Sequence, residues 1–212
     1  MSDSNKKKPG RPKNQELVVR RRKQILEMAA KTFAQHGYPN TDVQTIADLL
    51  NIGKGTIYRY FSTKKELFFA AVERGMRCLS EKVDAEISNI KDPLDKFSKA
   101  IYSYLSFFDE YPEYIELLIQ QRAGFKDDKK PSYFGCISAH VEQWQELCKN
   151  VIEQNSTHNV TNERILETVN DLVYGTIFTN YFSGRCKSFE NQARDILNII
   201  LHGILQSNPN TA

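Results

Sequence analysis

The sequence predicts an all-α chain, and three observations carry that reading. Apolar residues recur at three- and four-residue intervals along most of the length, and no stretch alternates strictly as a half-buried strand does. Pro93, Pro112 and Pro131 stand at or near the starts of such periodic segments, where a helix tolerates proline. Gly37, Gly184 and the run 155–159 punctuate them. The predicted architecture is an N-terminal three-helix unit followed by a C-terminal helical bundle, about nine helices in all.

Residues 1–14 contain no apolar side chain after Met1 and are expected to be a disordered basic tail. A first helix is expected over 15–36, with Ile25, Leu26, Ala29, Ala30 and Phe33 inward and Gly37 as its stop. Val43, Ile46, Ala47 and Leu50 then mark one face of a short second helix, for which Thr41 and Gln44 fit a capping box. Ala47 is small where two helices must nearly touch. Asn51 falls where a left-handed backbone is expected, a conformation Asn tolerates better than most residues. Gly53 or its neighbour opens a third helix, Lys54 to Tyr60, with Ile52 and Ile57 plugging the crevice. A short apolar-faced helix, a tight corner and a second helix rich in donors form a helix-turn-helix, the device that sets a helix into a DNA groove.

A fourth helix is expected from a cap at Ser62 or Thr63, closed by Glu66, to about Ile90. Its apolar face is Leu67, Ala70, Ala71, Met76, Leu79 and Val83. Further helices are expected over 93–109, 111–124, 132–155, 162–184 and 188–206, with 125–131 a polar, exposed linker. The domains read as 1–14 tail, 15–62 DNA-binding domain and 63–212 ligand-binding and dimerisation domain.

The stretch Ala29 to Phe61 is similar to the DNA-binding domain of the TetR family of transcriptional regulators. The resemblance rests on Ala29, Phe33, Gly37, Tyr38, Thr41, Val43, Ile46, Ala47, Ile52, Gly55, Thr56, Ile57, Tyr58, Phe61, Lys64 and Leu67, in order. Asn51 stands where the family usually has Gly, and Asp42 where a second Thr or Ser is common; an acid there can cap a helix but cannot donate to a phosphate. The resemblance implies that Gln44, Lys54, Gly55, Thr56 and Tyr58 face base edges or methyl groups, with Lys54 a donor to guanine acceptors, and Thr45 is a further DNA-binding candidate. It implies that Thr41, Arg59, Tyr60 and Lys64 hold phosphates. It also implies an effector pocket in the second half, for which Tyr104, Phe108, Gln121, His140, Trp144, Tyr174 and Phe178 are the candidates, with Glu116, Gln120 and Arg122 as further orienting groups. A homodimer is expected through 162–184 and 188–206, along stripes of Ile165, Val169, Leu172, Thr176 and Tyr181 and of Ile196, Ile200, Ile204 and Leu205.

Charge agrees with a one-ended nucleic-acid binder. Residues 1–24 hold nine Lys or Arg against Asp3 and Glu16, a net +7, which leaves −4 on the other 188 residues of a chain of net +3. Within the tail, Pro9-Gly10-Arg11-Pro12-Lys13 resembles an AT-hook, in which Arg11 enters a narrow A·T minor groove; a solvated tail adding phosphate contacts is the plainer alternative.

The four cysteines Cys78, Cys136, Cys148 and Cys186 are scattered, forming neither a disulfide framework nor a zinc spacing. No cofactor or metal is expected. The first residues lack the apolar core of a secretory signal, and no apolar run approaches the ~20 residues of a membrane span. A cytoplasmic protein without membrane contact is therefore expected. No nucleophile elbow, HExxH, P-loop or GxGxxG occurs, so no enzyme is expected. The expected function is a ligand-responsive transcriptional regulator, most simply a repressor on a palindromic operator. The alternatives are a constitutive architectural DNA binder without an effector, and a ligand- or redox-sensing module that has lost DNA affinity.

Overall fold

Eight helices account for most of the described residues, and no strand occurs among them. The computed structural model describes residues 15–125, 145–147, 149–151, 161–184 and 188–203. In order the helices are α1 (Gln15–His36), α2 (Val43–Leu49), α3 (Lys54–Tyr58), α4 (Lys64–Ile87), α5 (Pro93–Glu110), α6 (Glu113–Gly124), α7 (Asn162–Ser183) and α8 (Phe189–Gly203). The basic tail with Arg11, the expected helix 132–155 with His140 and Trp144 (apart from the helical residues just given), and Ile204 and Leu205 lie outside the described residues.

Local rules place most boundaries. Gly37, at φ +78°, ends α1 with its N–H on the Phe33 carbonyl. Asp92 caps α5 by accepting from the Asp95 N–H, and Pro93 opens the helix. Threonine caps two other helices. Thr161 accepts from the Arg164 N–H at the start of α7, which Gly184 ends at φ +60°. At α4 the Thr63 hydroxyl accepts from the Glu66 N–H at 3.0 Å, while the Glu66 carboxylate accepts from the Ser62 N–H at 2.7 Å. Thr63→Ala removes that cap and is expected to cost about 1 kcal/mol. A thermal melt reads it, and an unchanged midpoint would show the cap to be idle.

One apolar cluster runs through the molecule. In the N-terminal part it holds Ile25, Leu26, Ala29, Phe33, Ile46, Ala47, Ile57 and Phe61. It continues along α4 through Leu67, Phe68, Ala71, Val72, Met76, Leu79 and Val83 into α5, α6, α7 and α8. α4, ~36 Å long at 1.5 Å per residue, packs on α1, α5 and α6 and so links the two ends. At its middle Gly75 lies under the Tyr114 ring of α6. α7 and α8 are pinned by a buried amide pair: Asn180 Nδ2 donates to Gln192 Oε1, and Gln192 Nε2 donates back to Asn180 Oδ1 at 2.6 Å. Asp109 of α5 accepts from the Phe189 N–H at the head of α8, and burial pushes its carboxyl above the ordinary value. No helix among the described residues is long and apolar enough to cross a membrane.

Four expectations change. α4 ends at Ile87 rather than near Ile90, and Ala70 is only half-buried on it. Phe125 is not part of an exposed polar linker: its ring meets Tyr38, Phe68 and Phe69 at 4.9–5.6 Å. Ile196 and Ile200 are not a free stripe, because α8 packs on α5 of the same chain and buries both. The apolar groups left outward at this end are Tyr181, Phe182 and Ile199, with Phe182 70% exposed. Leu172 and Thr176 are half-buried and Val169 is buried; the Ile165 side chain lies outside the described residues.

Candidate nucleic-acid interface

The candidate interface is built on α2, the corner and α3. Asp42, not Thr41, caps α2: its carboxylate accepts the Gln44 N–H at 2.8 Å. The reason is that Thr41 is buried, its hydroxyl donating to the Gly37 carbonyl at 2.7 Å, so it closes the α1–α2 loop instead. After Leu50 the chain turns at Asn51, φ +52°, and Ile52 N–H returns to the Ala47 carbonyl at 3.0 Å. Gly53 then caps α3 from an extended backbone, with Thr56 N–H on its carbonyl at 2.7 Å. Ile57 and Phe61 anchor α3 inward, and the guanidinium of Arg22 lies 5.0 Å from the centre of the Phe61 ring.

This leaves a polar, outward surface. Gln44, Thr45, Gly55, Tyr58 and Arg59 are exposed; Lys54, Thr56 and Tyr60 are half-exposed. Gly55 is informative because the fold does not require it. Its φ is not positive, and a Cβ there would meet nothing within 4 Å.

The side chains on this face are held in place by acids. Lys54 Nζ donates to Asp42 Oδ1 at 2.8 Å, and Gln44 Nε2 to Asp48 Oδ1 at 2.7 Å. The cap bond from Gln44 and the bond from Lys54 hold the Asp42 carboxyl below its ordinary value, and Asp42 raises that of Lys54. Lys64, expected on a phosphate, is turned back onto the α1–α2 loop. Its ammonium donates to the carbonyls of Thr41 (2.8 Å) and Pro39 (3.1 Å) and lies 4.7 Å from the centre of the Tyr38 ring.

The body carries the other candidates on three mutually packed helices: Tyr104 and Phe108 on α5, Gln121 on α6, and Tyr174 and Phe178 on α7. Phe108 and Gln121 are buried, and the Tyr174 and Phe178 rings lie 4.5 Å apart. Burial raises the Tyr174 hydroxyl above its ordinary value, opposed by the charge of Arg122.

Glu116 and Gln120, read from sequence as pocket groups, are tied into hydrogen bonds that reach α1 and α7. The Gln120 amide accepts from the Tyr38 N–H at 2.7 Å and donates to the Phe33 carbonyl at 2.9 Å. It also donates to Glu116 at 2.8 Å, and the other Glu116 oxygen accepts from the Tyr181 hydroxyl of α7. That last bond, more than burial, pushes the Tyr181 hydroxyl up to about 12. The i,i+4 spacing of Glu116 and Gln120 was the sequence signal available; their partners, more than sixty residues away in the chain, had none.

Residues 25–71 match the family of bacterial regulatory proteins described as tetR family. The chain is similar to the HTH-type transcriptional regulator YhgD of Bacillus subtilis, 35% identical over 91 residues. That match covers 43% of this chain and 48% of YhgD, so the chain spans about half the length of the curated relatives it matches. In fold it is similar to a transcriptional regulator of Saccharomonospora viridis solved in complex with choline, with a TM-score of 0.74 at 18% identity, over 89% of this chain and 100% of that one. It is likewise similar to FadR of Bacillus subtilis solved with stearoyl-CoA, with a TM-score of 0.69 at 15% identity, over 86% and 98%.

Proposed function

We propose, from the premise that this chain belongs to the tetR family of bacterial regulatory proteins, that it is an effector-responsive transcriptional regulator that binds a near-palindromic operator as a homodimer. Gly55 carries the reading: a bare position on the outward face of α3 that the protein's own packing does not need. Residues 15–62 are the reading head and 63–212 the regulatory and dimerising body, acting in the cytoplasm. Gln44, Thr45, Lys54, Thr56 and Tyr58 face the bases, and Arg59 and Tyr60 the backbone. Repression is the simplest output of such a protein. The exposed Tyr181, Phe182 and Ile199 support a second copy covering this end.

The effector site is assigned to the body, among Tyr104, Phe108, Gln121, Tyr174 and Phe178. Two neighbours of the same fold were solved with small molecules, choline and stearoyl-CoA, which supports an effector here without fixing its class. An effector releases DNA only if it prefers the conformation in which the two heads no longer fit the operator.

The test is fluorescence anisotropy on the duplex recovered by selecting from a random pool with the wild-type protein, against a shuffled duplex of equal composition. Preference for the selected duplex by at least roughly a thousandfold supports a specific regulator. Lys54→Ala is expected to weaken the selected duplex about tenfold. Equal binding of both duplexes by the wild type would overturn the reading in favour of an architectural role.

A further inference from the structure

The ion pair between Asp42 and Lys54 lies on the outward side of the α2–α3 corner. Both side chains are at the surface, 62% and 37% exposed, and the pair joins the cap of α2 to the first residue of α3. The cap needs only an acceptor, which Asn supplies as well as Asp. What Asp adds is a negative charge beside the one lysine of α3, on the face offered to a polyanion. Such a charge opposes DNA binding in general, so its benefit must lie in how Lys54 binds.

An ammonium has three donors and no acceptor. With one donor on Asp42, two remain for DNA. A phosphate oxygen and a carboxylate oxygen are both anionic acceptors that compete for the same ammonium. A phosphate contact therefore either sets a second anion against Asp42 or leaves Asp42 unneutralised near the backbone. A base edge makes no such demand: the N7 and O6 of guanine are neutral acceptors that the two remaining donors can reach with the Asp42 bond intact. The paired lysine also approaches as a nearly neutral unit, releasing few counterions.

We propose that Asp42 is a specificity-determining residue that acts through Lys54, withholding the ammonium from phosphates on any DNA while leaving it free to read a guanine edge in the operator. This rests on the DNA-regulator reading above. Asp42 is a positioning residue: it tunes the ratio of specific to non-specific affinity rather than the affinity itself.

The experiment compares wild type, Asp42→Asn, Lys54→Ala and the double variant on the selected and shuffled duplexes over a salt series. Asp42→Asn keeps the cap, so an unchanged melting midpoint confirms that only charge has been altered. The expected result is about tenfold tighter binding of the shuffled duplex and less than about threefold for the selected one. The salt slope on the shuffled duplex steepens by about 0.9, the value of one added phosphate contact. Both effects vanish in the Lys54→Ala background.

Equal tightening on the two duplexes would overturn the proposal, since Asp42 would then only repel DNA. Persistence of the effect without Lys54 would overturn it as well, since Asp42 would act by its own charge. Either result leaves the regulator reading intact provided the wild type discriminates. A wild type that binds both duplexes alike sinks that reading, and the proposal with it.

Discussion

Phe68→Ala is expected to destabilise the protein by about 3–5 kcal/mol, lowering the melting midpoint by roughly 6–20 °C. Phe68 is fully buried in the second turn of α4. Its ring meets Phe33 of α1 at 5.2 Å, Tyr38 of the α1–α2 loop at 5.1 Å, Phe69 at 5.8 Å and Phe125 beyond α6 at 5.6 Å. Each such aromatic pair contributes about 0.5–1.5 kcal/mol beyond area burial. The rings come from four separate segments, so the void left by truncation cannot be filled by one helix sliding inward. The same substitution loosens the head from α4 and α6, and the loss should appear in hydrogen exchange at α1 and α2 as well as in the melt. A loss below about 1 kcal/mol would mean that the site collapses and that the ring cluster does not hold the head.

Gly75→Ala is expected to destabilise by about 2 kcal/mol, or roughly 4–8 °C, although alanine is the better helix former. A Cβ at position 75 would stand 2.2 Å from Cδ1 and Cε1 and 2.7 Å from Cζ of Tyr114. That ring is buried and stacked on Phe107 at 5.7 Å, so it has little room to yield. Overpacking of this kind costs about 1–3 kcal/mol, and the severity of the overlap places it high in that range. The propensity gain of about 1 kcal/mol offsets only part of it. The double variant with Tyr114→Ala separates the causes: the Gly75→Ala penalty should disappear once the ring is gone. A stabilised single variant would show that α4 and α6 separate easily at this contact.

What the sequence made legible was local. Gly37, Asn51, Pro93, Thr63 and Gly184 act within a few residues of themselves, and each ends or begins a helix where its chemistry says it should. The inward face of α1 was equally readable, because one stripe of that helix is apolar and the opposite one is charged. α8 was not, because Ile196, Leu197, Ile199 and Ile200 are apolar on adjoining faces. Periodicity alone cannot say which of these faces α5 covers and which it leaves outward.

In the candidate interface the outward set Gln44, Lys54, Gly55 and Tyr58 was what the resemblance to the TetR motif implied. Thr41 and Lys64 did not, since whether a hydroxyl or an ammonium turns outward depends on carbonyls in the α1–α2 loop. Nothing in the sequence pairs Asp42 with Lys54 either. A twelve-residue separation has no helical or strand period to reveal it.

The bonds from Tyr181 through Glu116 and Gln120 to the end of α1 have a fixed sense. Tyr38 offers an N–H and Phe33 a carbonyl, so the Gln120 amide can face them in one orientation only. That orientation points its remaining N–H at Glu116, which accepts. A carboxylate already accepting on one side calls for a donor on the other, and the Tyr181 hydroxyl is that donor. Polarity thus converges on Glu116, from the outer end of α7 on one side and from the α1–α2 loop through Gln120 on the other. Any group that took Tyr181's place, whether from a second subunit or from a small molecule, would have to bring a proton to share.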